Sequence, residues 1–495
     1  MISILRASHL TPMNLKPLEK LDRTNLYEQV ANRVQSLIEE GTLQPGDRIP
    51  SVRRMHKQMN VSISTVLEAY RLLEDRGLIE ARPQSGYFVK QTPLLSHRDE
   101  PNPSAPPRRI YTVDASIALG INVALRDPNI IRLGAAVPDP QLFPVKALNR
   151  LMGQVMRQHP ETCHAYNPLP GCEPLRHEVA RRLMDAGCSL TPEEILITNG
   201  TTEALHLCLR AVTKPGDTVA IESPCYYGLL EILESLHLRA LELPTHPRDG
   251  LILEELETAL EQGNIAACTV VSNFSNPLGC CMSDSHKKQL LEILEKYDIP
   301  LIEDDIYGDL KFDGNRPKAI KAYDRKGLVM YCASCSKTLS AGLRVGWTVP
   351  GRYQTKVEQL KLITNINTAA ANQLTIASFL ANGGYDRHLR QLRRAYQEQV
   401  IRITQAIYEY FPDETKVTRP MGGYVLWVEI PSNFDSMTLY HQALQDNISI
   451  APGSIFSVSG SYQNCFRLNC GIPWSDQLEQ ALKTLGILIH QQVYN

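Results

Sequence analysis

The chain has 495 residues, more than one ordinary hydrophobic core accommodates, so two or more domains are expected. With 43% hydrophobic and 21% charged residues it has a globular composition, and no apolar run reaches the roughly 18 residues of a membrane span. A formal net charge of −2 excludes a uniformly basic nucleic-acid binder, although not a small reading module on a large neutral body.

The first twenty residues, MISILRASHLTPMNLKPLEK, carry neither an apolar signal-peptide core nor a small-residue cleavage site. Twelve cysteines are scattered through apolar segments and, without an export signal, read as reduced thiols of a cytoplasmic protein. From Leu26 to Glu40, the residues Leu26, Val30, Val34, Leu37 and Ile38 make a helical stripe that Gly41 and Pro45–Gly46 stop. Ser51 then caps a short helix to Met59, with Val52, Met55 and Met59 on its inner side. A third helix starts at Ser62 or Ser64 and runs to about Arg76, turning Val66, Ala69, Tyr70 and Leu73 inward. Gly77 ends it, and LIEARPQSGYFV alternates like a hairpin with Ser85–Gly86 at its tip. Two short helices about a tight turn, followed by a hairpin, follow the winged helix-turn-helix plan.

Residues 24–90 hold nine Lys or Arg against eight Asp or Glu, so bulk attraction to DNA is weak. Arg48, Arg53, Arg54 and Lys57 nevertheless cluster with no acid among them. At a log-log salt slope of about −0.9 per neutralised phosphate, one such module binds modestly, so a homodimer on paired half-sites is expected. Residues 20–90 are read as this domain. Residues 91–114, rich in Pro, Ser and charge, are read as a semi-extended linker, and residues 115–495 as a large second domain.

In that second domain ILIT (195–198), TVAIE (218–222), AACTVVS (266–272), PLIEDD (300–305) and VMYCAS (329–334) are short apolar runs. Helical patterns such as Thr202–Val212 and Ser283–Tyr297 lie between them. This alternation predicts an α/β fold with a mostly parallel sheet flanked by helices, and ligands beyond the carboxyl ends of the strands.

Polar residues at those ends fit one ligand. Lys337 follows VMYCAS, where desolvation and a neighbouring cation, Arg344, would make its amine a ready partner for an aldehyde. Asp304 is the first of the two aspartates that close PLIEDD, placed to hold a pyridine nitrogen protonated, and Tyr307 three residues on can bond a ring hydroxyl. Asn276 is a second candidate for that hydroxyl, and Asp305 an alternative carboxylate without the three-residue spacing to Tyr307. Gly200, Thr201 and Thr202 open a helix after a strand and offer donors to a phosphate. Ser334 and Arg344 can close the same cup, and Tyr226 can stack on a ring. Together these are the demands of pyridoxal 5'-phosphate. No second CxxC accompanies Cys332–Cys335 at zinc-ribbon spacing and no HxxxH or HExxH occurs, so no metal site is expected.

Two resemblances sharpen the reading. The segment LYEQVANRVQSLIEEGTLQPGDRIPSVRRM with VSISTVLEAYRLLEDRGLIEARPQSGYFV resembles the GntR-family DNA-binding domain. The match implies that Arg53, Ser62, Ser64, Thr65 and Gly86 approach DNA. Family members often carry Arg where this chain has Ile63, so base specificity does not carry over, and Ile63 can instead touch a thymine methyl. From about Ile131 onward, Tyr166–Gly171, the Gly-Thr-Thr helix start, Pro224–Tyr226, Asn276–Gly279, Asp304–Tyr307, Ser334–Lys337 and FRLNCG follow the order of fold-type I aminotransferases. That resemblance implies a smaller C-terminal α/β subdomain, Tyr166 reaching the phosphate of a neighbouring subunit, and Arg467 pairing with a substrate α-carboxylate.

The fusion is similar to the MocR-type regulators of the GntR family. It implies a pyridoxal-phosphate-dependent transcription regulator that responds to an amino acid or amine. The alternative is a working aminotransferase carrying an accessory DNA-binding domain.

Overall fold

Apolar side chains recurring every three or four residues close three helices on one another in the first of two units, which divide between Leu94 and Leu95 in this computed structural model. Residues 25–39, 42–44, 46–75, 78–82, 85–89, 99–114, 127, 129–431 and 433–494 are described. The first unit comprises α1 (Leu26–Glu39), α2 (Val52–Met59), α3 (Ile63–Asp75) and the antiparallel pair β1 (Ile79–Arg82) and β2 (Gly86–Val89). Val30 and Val34, Met55 and Met59, and Val66, Ala69, Tyr70 and Leu73 fill its core. Leu26, expected in the inner stripe, is 41% exposed, because it opens α1 and the first core contact comes a turn later at Val30.

Ser51 caps α2 by accepting from the Arg54 N–H at 3.4 Å, and Asn60, at φ 52°, turns the chain into α3. Ser62 caps α3, accepting from the Thr65 N–H at 3.0 Å. The Tyr70 hydroxyl donates to the Pro50 carbonyl at 2.6 Å and ties α3 to the turn before α2. The expected stops at Gly41, Pro45 and Gly77, the helix ends at Glu40 and Arg76, and wing residues 83–84 lie outside the described residues.

In the second unit the strands in chain order are β3 (Ile110–Thr112), β4 (Ile131–Arg132), β5 (Leu196–Thr198), β6 (Thr218–Ser223), β7 (Arg239–His246), β8 (Gly250–Leu251), β9 (Ile265–Val270), β10 (Leu301–Asp304), β11 (Val329–Ser334) and β12 (Gly346–Val349). The main sheet runs β3-β7-β6-β9-β10-β11-β12-β5, with β8 beside β7. From β7 to β11 the pairs are parallel. Side chains alternate between the faces: Met330 and Cys332 of β11 join one core, Tyr331 and Ala333 another. Helices Thr201–Val212 and Tyr227–Ser235 pack in the first of these cores, while helices Leu253–Glu261 and Asp284–Lys296 cover a third.

The smaller C-terminal part carries β13 (Lys416–Val417), β14 (Val425–Glu429), β15 (Ile448–Ser449), β16 (Ala451–Pro452) and β17 (Cys465–Asn469). Its antiparallel sheet runs β13-β14-β17-β16, and β15 pairs in parallel with β4, so a strand from the start of the unit is built into its end.

One reversal decides where the chemistry collects. β12 is antiparallel to both β11 and β5, so β5 runs with the parallel set. Thr198, Gly346 and Ser334 stand in register across three strands, and the turn before β12 meets the carboxyl ends of β5, β10 and β11. A side chain on Gly346 would strike the Gly200 backbone at 2.7 Å, so glycine is what lets the two turns close up.

Part of the segment expected as linker is built into the second unit. Residues 91–98 lie outside the described residues, but 99–114 are part of the second unit. β3 pairs with β7, Pro101 and Pro106 are buried, and Ser104 bonds to Thr245 in both directions, its backbone N–H to the carbonyl at 3.0 Å and its hydroxyl from the N–H at 2.7 Å. Proline-rich composition signals an extended chain; it does not say whether a sheet edge is waiting to receive it. A second unit that begins at residue 115 should therefore be less stable than one that begins at residue 95, by about 2–4 kcal/mol of lost edge hydrogen bonds and apolar burial. Denaturant unfolding of the two fragments measures the difference.

Candidate functional site

At the carboxyl edge of the sheet lies a cavity of about 230 Å³. Its lining includes Thr201, Thr202, Tyr226, Asn276, Asp304, Tyr307, Lys337 and Arg344, which the sequence offered from separate segments.

Lys337 ends a short turn after β11 and donates to the Ala136 carbonyl at 2.7 Å. Burial drives its pKa down to about 8, Arg467 and Arg344 push the same way, and Asp304 opposes them. Burial likewise lifts the Asp304 carboxyl to about 7, against a hydrogen bond from the Ile306 N–H at 3.1 Å and the pull of Lys337. Desolvation thus outweighs the mutual attraction of these two groups, and each is biased towards its neutral form.

Asp305, the alternative carboxylate, is committed elsewhere: it accepts from Arg316 at 2.6 Å, Tyr331 at 3.0 Å and Asn273 at 2.7 Å. Asp304 is therefore the carboxylate of the cavity. Tyr307 is buried, and desolvation raises its hydroxyl pKa, so it stays a proton donor at neutral pH.

Gly200, at φ 88°, makes the sharp entry into helix Thr201–Val212 and supplies no side-chain cap. A Cβ there would meet the Arg344 guanidinium at 2.5 Å. Arg344 in turn donates to the Asn199 carbonyl at 2.9 Å, so a cation is fixed beside free helix N–H groups. The Thr201 hydroxyl is buried with no hydrogen-bond partner. An anion receiving from it would complete the cup, since a buried polar group left unpaired is costly.

Other expected residues fall differently. The Ser334 side chain caps the turn by accepting from the Ser336 N–H at 3.3 Å, and Ser336, not Ser334, lines the cavity. Arg467 is fully buried and does not line it. Its guanidinium donates to Asn276 at 2.9 Å and to the Gly134 carbonyl, and its Nε has no partner. Tyr166 is 81% exposed and absent from the lining of its own cavity. Sequence reasoning missed Ser336, which stood inside a motif already in hand, and the Ala136–Val137 strap, which lies in no apolar run and gave no signal.

In the first unit, Arg53, Lys57, Ser62 and Ser64 are exposed, while Thr65 is half-buried. The hydroxyls of Ser64 and Thr65 each lie 2.7 Å from that of Ser62 across the start of α3. Gly86, at φ 101°, lies under the Arg48 guanidinium, so a backbone requirement accounts for the glycine.

Residues 26–89 match the gntR family of bacterial regulatory proteins, and residues 128–485 match the class I and II aminotransferases. The HTH-type transcriptional regulator YdcR of Escherichia coli (strain K12) is 40% identical over 474 residues, 94% of this chain and 99% of that one. Its counterpart YjiR from the same strain is 38% identical over 471 residues, with the same coverage. This chain belongs to the MocR-type regulators of the GntR family. As in other chains of this architecture, the second unit of the regulator has an aminotransferase fold. It matches LysN, the α-aminoadipate aminotransferase from Thermus thermophilus solved with N-(5'-phosphopyridoxyl)-L-leucine, at a TM-score of 0.71 and 28% identity. The match covers 77% of the regulator and 96% of that chain. No helix among the described residues is long and apolar enough to cross a membrane.

An amine whose pKa is about 8 is neutral roughly three hundred times more often at pH 7 than an ordinary lysine. Reductive alkylation of Lys337 with a small aldehyde, followed by mass mapping, should show a midpoint near pH 8. Arg467→Leu, which removes a repelling cation, should move the midpoint up, and Asp304→Asn, which removes an attracting anion, should move it down.

Proposed function

We propose that this MocR-type regulator carries pyridoxal 5'-phosphate joined to Lys337, and that an amino compound entering the cavity changes DNA binding by its first unit. The observation that carries the reading is the meeting, in one cavity, of a neutral-biased lysine, a buried carboxylate and an unpartnered threonine hydroxyl at a helix start. When bound, the cofactor would supply an aldehyde carbon for amine exchange and a ring that withdraws electrons from bonds at the amino carbon.

The chain's residues would divide the holding. Gly200, Thr201, Thr202 and Arg344 face the phosphate, with Ser336 beside them. Asp304 takes the ring nitrogen, Tyr307 and Asn276 the ring hydroxyl, and Tyr226 a ring face. Tyr166 would serve a second copy of the chain, which makes the working form a homodimer and sets two reading modules on paired half-sites. A cytoplasmic location is part of the same proposal.

An effector shifts DNA binding only by its differential affinity for two states of the protein. The segment before β3 offers a physical route for that shift. The Ser104 hydroxyl donates to the Ser223 carbonyl at 2.5 Å. Ser223 bonds Glu242 at 3.2 Å and Tyr462 at 2.8 Å, and Tyr226, three residues on, lines the cavity. The Tyr462 ring packs on Trp427, which packs on Phe456, and Phe456 lies 5.3 Å from the Arg467 guanidinium.

A second reading, an amino-acid aminotransferase with an accessory DNA-binding unit, is favoured by the retention of Lys337, Asp304 and Arg467 together. Steady conversion of an amino acid and keto acid pair by purified protein would establish it, and slow or absent turnover with effector-dependent DNA binding establishes the regulator.

The purified regulator should absorb in the near-ultraviolet or visible, and borohydride should fix the cofactor's mass on the peptide containing Lys337. Lys337→Ala should show neither, and its DNA binding should no longer respond to amino compounds. A colourless protein after reconstitution refutes the cofactor assignment. Ser104→Ala should keep the absorbance and the affinity for DNA, while the effector-dependent change in that affinity falls several-fold, measured by titration with and without the amino compound.

A further inference from the structure

The recognition helix α3 presents an apolar ridge. Ile63 is 46% exposed and Leu67 is 38% exposed, one turn apart on the same face. Isolated exposed aliphatic residues are ordinary on any surface. This pair occupies the first two turns of the helix that a helix-turn-helix inserts into the major groove, where base edges are met.

The other side chains of those turns leave little else to read bases with. From Ser62 to Ala69 there is no Arg, Lys, Asn or Gln, the residues that make bidentate contacts to guanine or adenine. Ser62 and Thr65 are engaged in the helix cap. Glu68 is paired with Arg71 at 3.3 Å, so its carboxylate does not leave the face negatively charged. Cations lie next door on α2, where Arg53 and Lys57 are exposed and no acid interrupts them. An exposed apolar ridge on α3 and exposed cations on the helix packed against it suit a groove whose walls are phosphate and whose floor carries one kind of apolar group, the 5-methyl of thymine.

We propose that Ile63 and Leu67 read thymine methyl groups in the operator, and that this contact, in place of hydrogen bonds from long polar side chains, sets base specificity. The inference rests on the DNA-binding reading of the first unit and adds the chemistry that is read. Four residues of helix rise about 6 Å, so the two methyls in each half-site lie about two base-pair steps apart, on either strand.

The test uses the full-length protein and a pool of random-sequence duplexes. The duplexes it retains should share thymines at that spacing in each half-site. Replacing those thymines with deoxyuridine removes only the methyl, and should weaken binding about fourfold per contacted group and more than tenfold for two. The double variant Ile63→Ala, Leu67→Ala changes exposed positions to a strong helix former. It should still bind duplex DNA at low salt, yet bind thymine and deoxyuridine versions equally. Equal affinity of the unaltered protein for the two versions overturns the proposal, as does a double variant that keeps the discrimination. Failure to retain any duplex would sink the DNA-binding reading itself, and it is seen before any thymine is replaced.

Discussion

Burial of the Lys337 amine is the constraint on which the cavity depends. A charged ammonium is poorly solvated there, and two guanidinium groups disfavour the charge further. The Asp304 carboxylate beside it meets the same desolvation from the opposite sign. A site that disfavours both ions suits a ligand that consumes a neutral amine and brings a basic ring nitrogen of its own. The fold makes such burial possible, because helices cover both faces of the sheet and leave only the strand ends for chemistry.

The strand reversal at β12 sharpens this geometry. If β12 ran with its neighbours, the turn bearing Arg344 would lie at the far edge of the sheet, some four residues and more than about 10 Å from Thr201. Antiparallel insertion returns that turn to the reactive edge, and two glycines, Gly200 and Gly346, let the backbones meet there. Gly200, Thr201, Arg344 and Lys337 are consequently placed by one strip of three strands.

Most of this could be read in the sequence because it depends on period and on order. The apolar runs matched β5, β6, β9, β10 and β11 to within two residues at each end, since each is buried on both faces and reads as continuous hydrophobicity. The choice of Asp304 over Asp305 rested on spacing to Tyr307, and the reason behind it, the capture of Asp305 by Arg316, appears only in three dimensions. What remained illegible is long-range. The pairing of residues 110–112 with β7 depends on an edge more than a hundred residues away, and the exchange of Ser334 for Ser336 at the cavity depends on the twist of one short turn. In the first unit Ser62 and Thr65 carry the right residue types for DNA, but the start of α3 engages their hydroxyls first.

The grip of Arg467 on the Gly134 carbonyl has a mechanical consequence. Two residues further along, the Ala136 carbonyl accepts from the Lys337 amine and from the Tyr424 hydroxyl. Three consecutive residues of backbone are thereby moored to side chains from three distant parts of the chain, and a change at any one of these moorings is felt by the same short stretch.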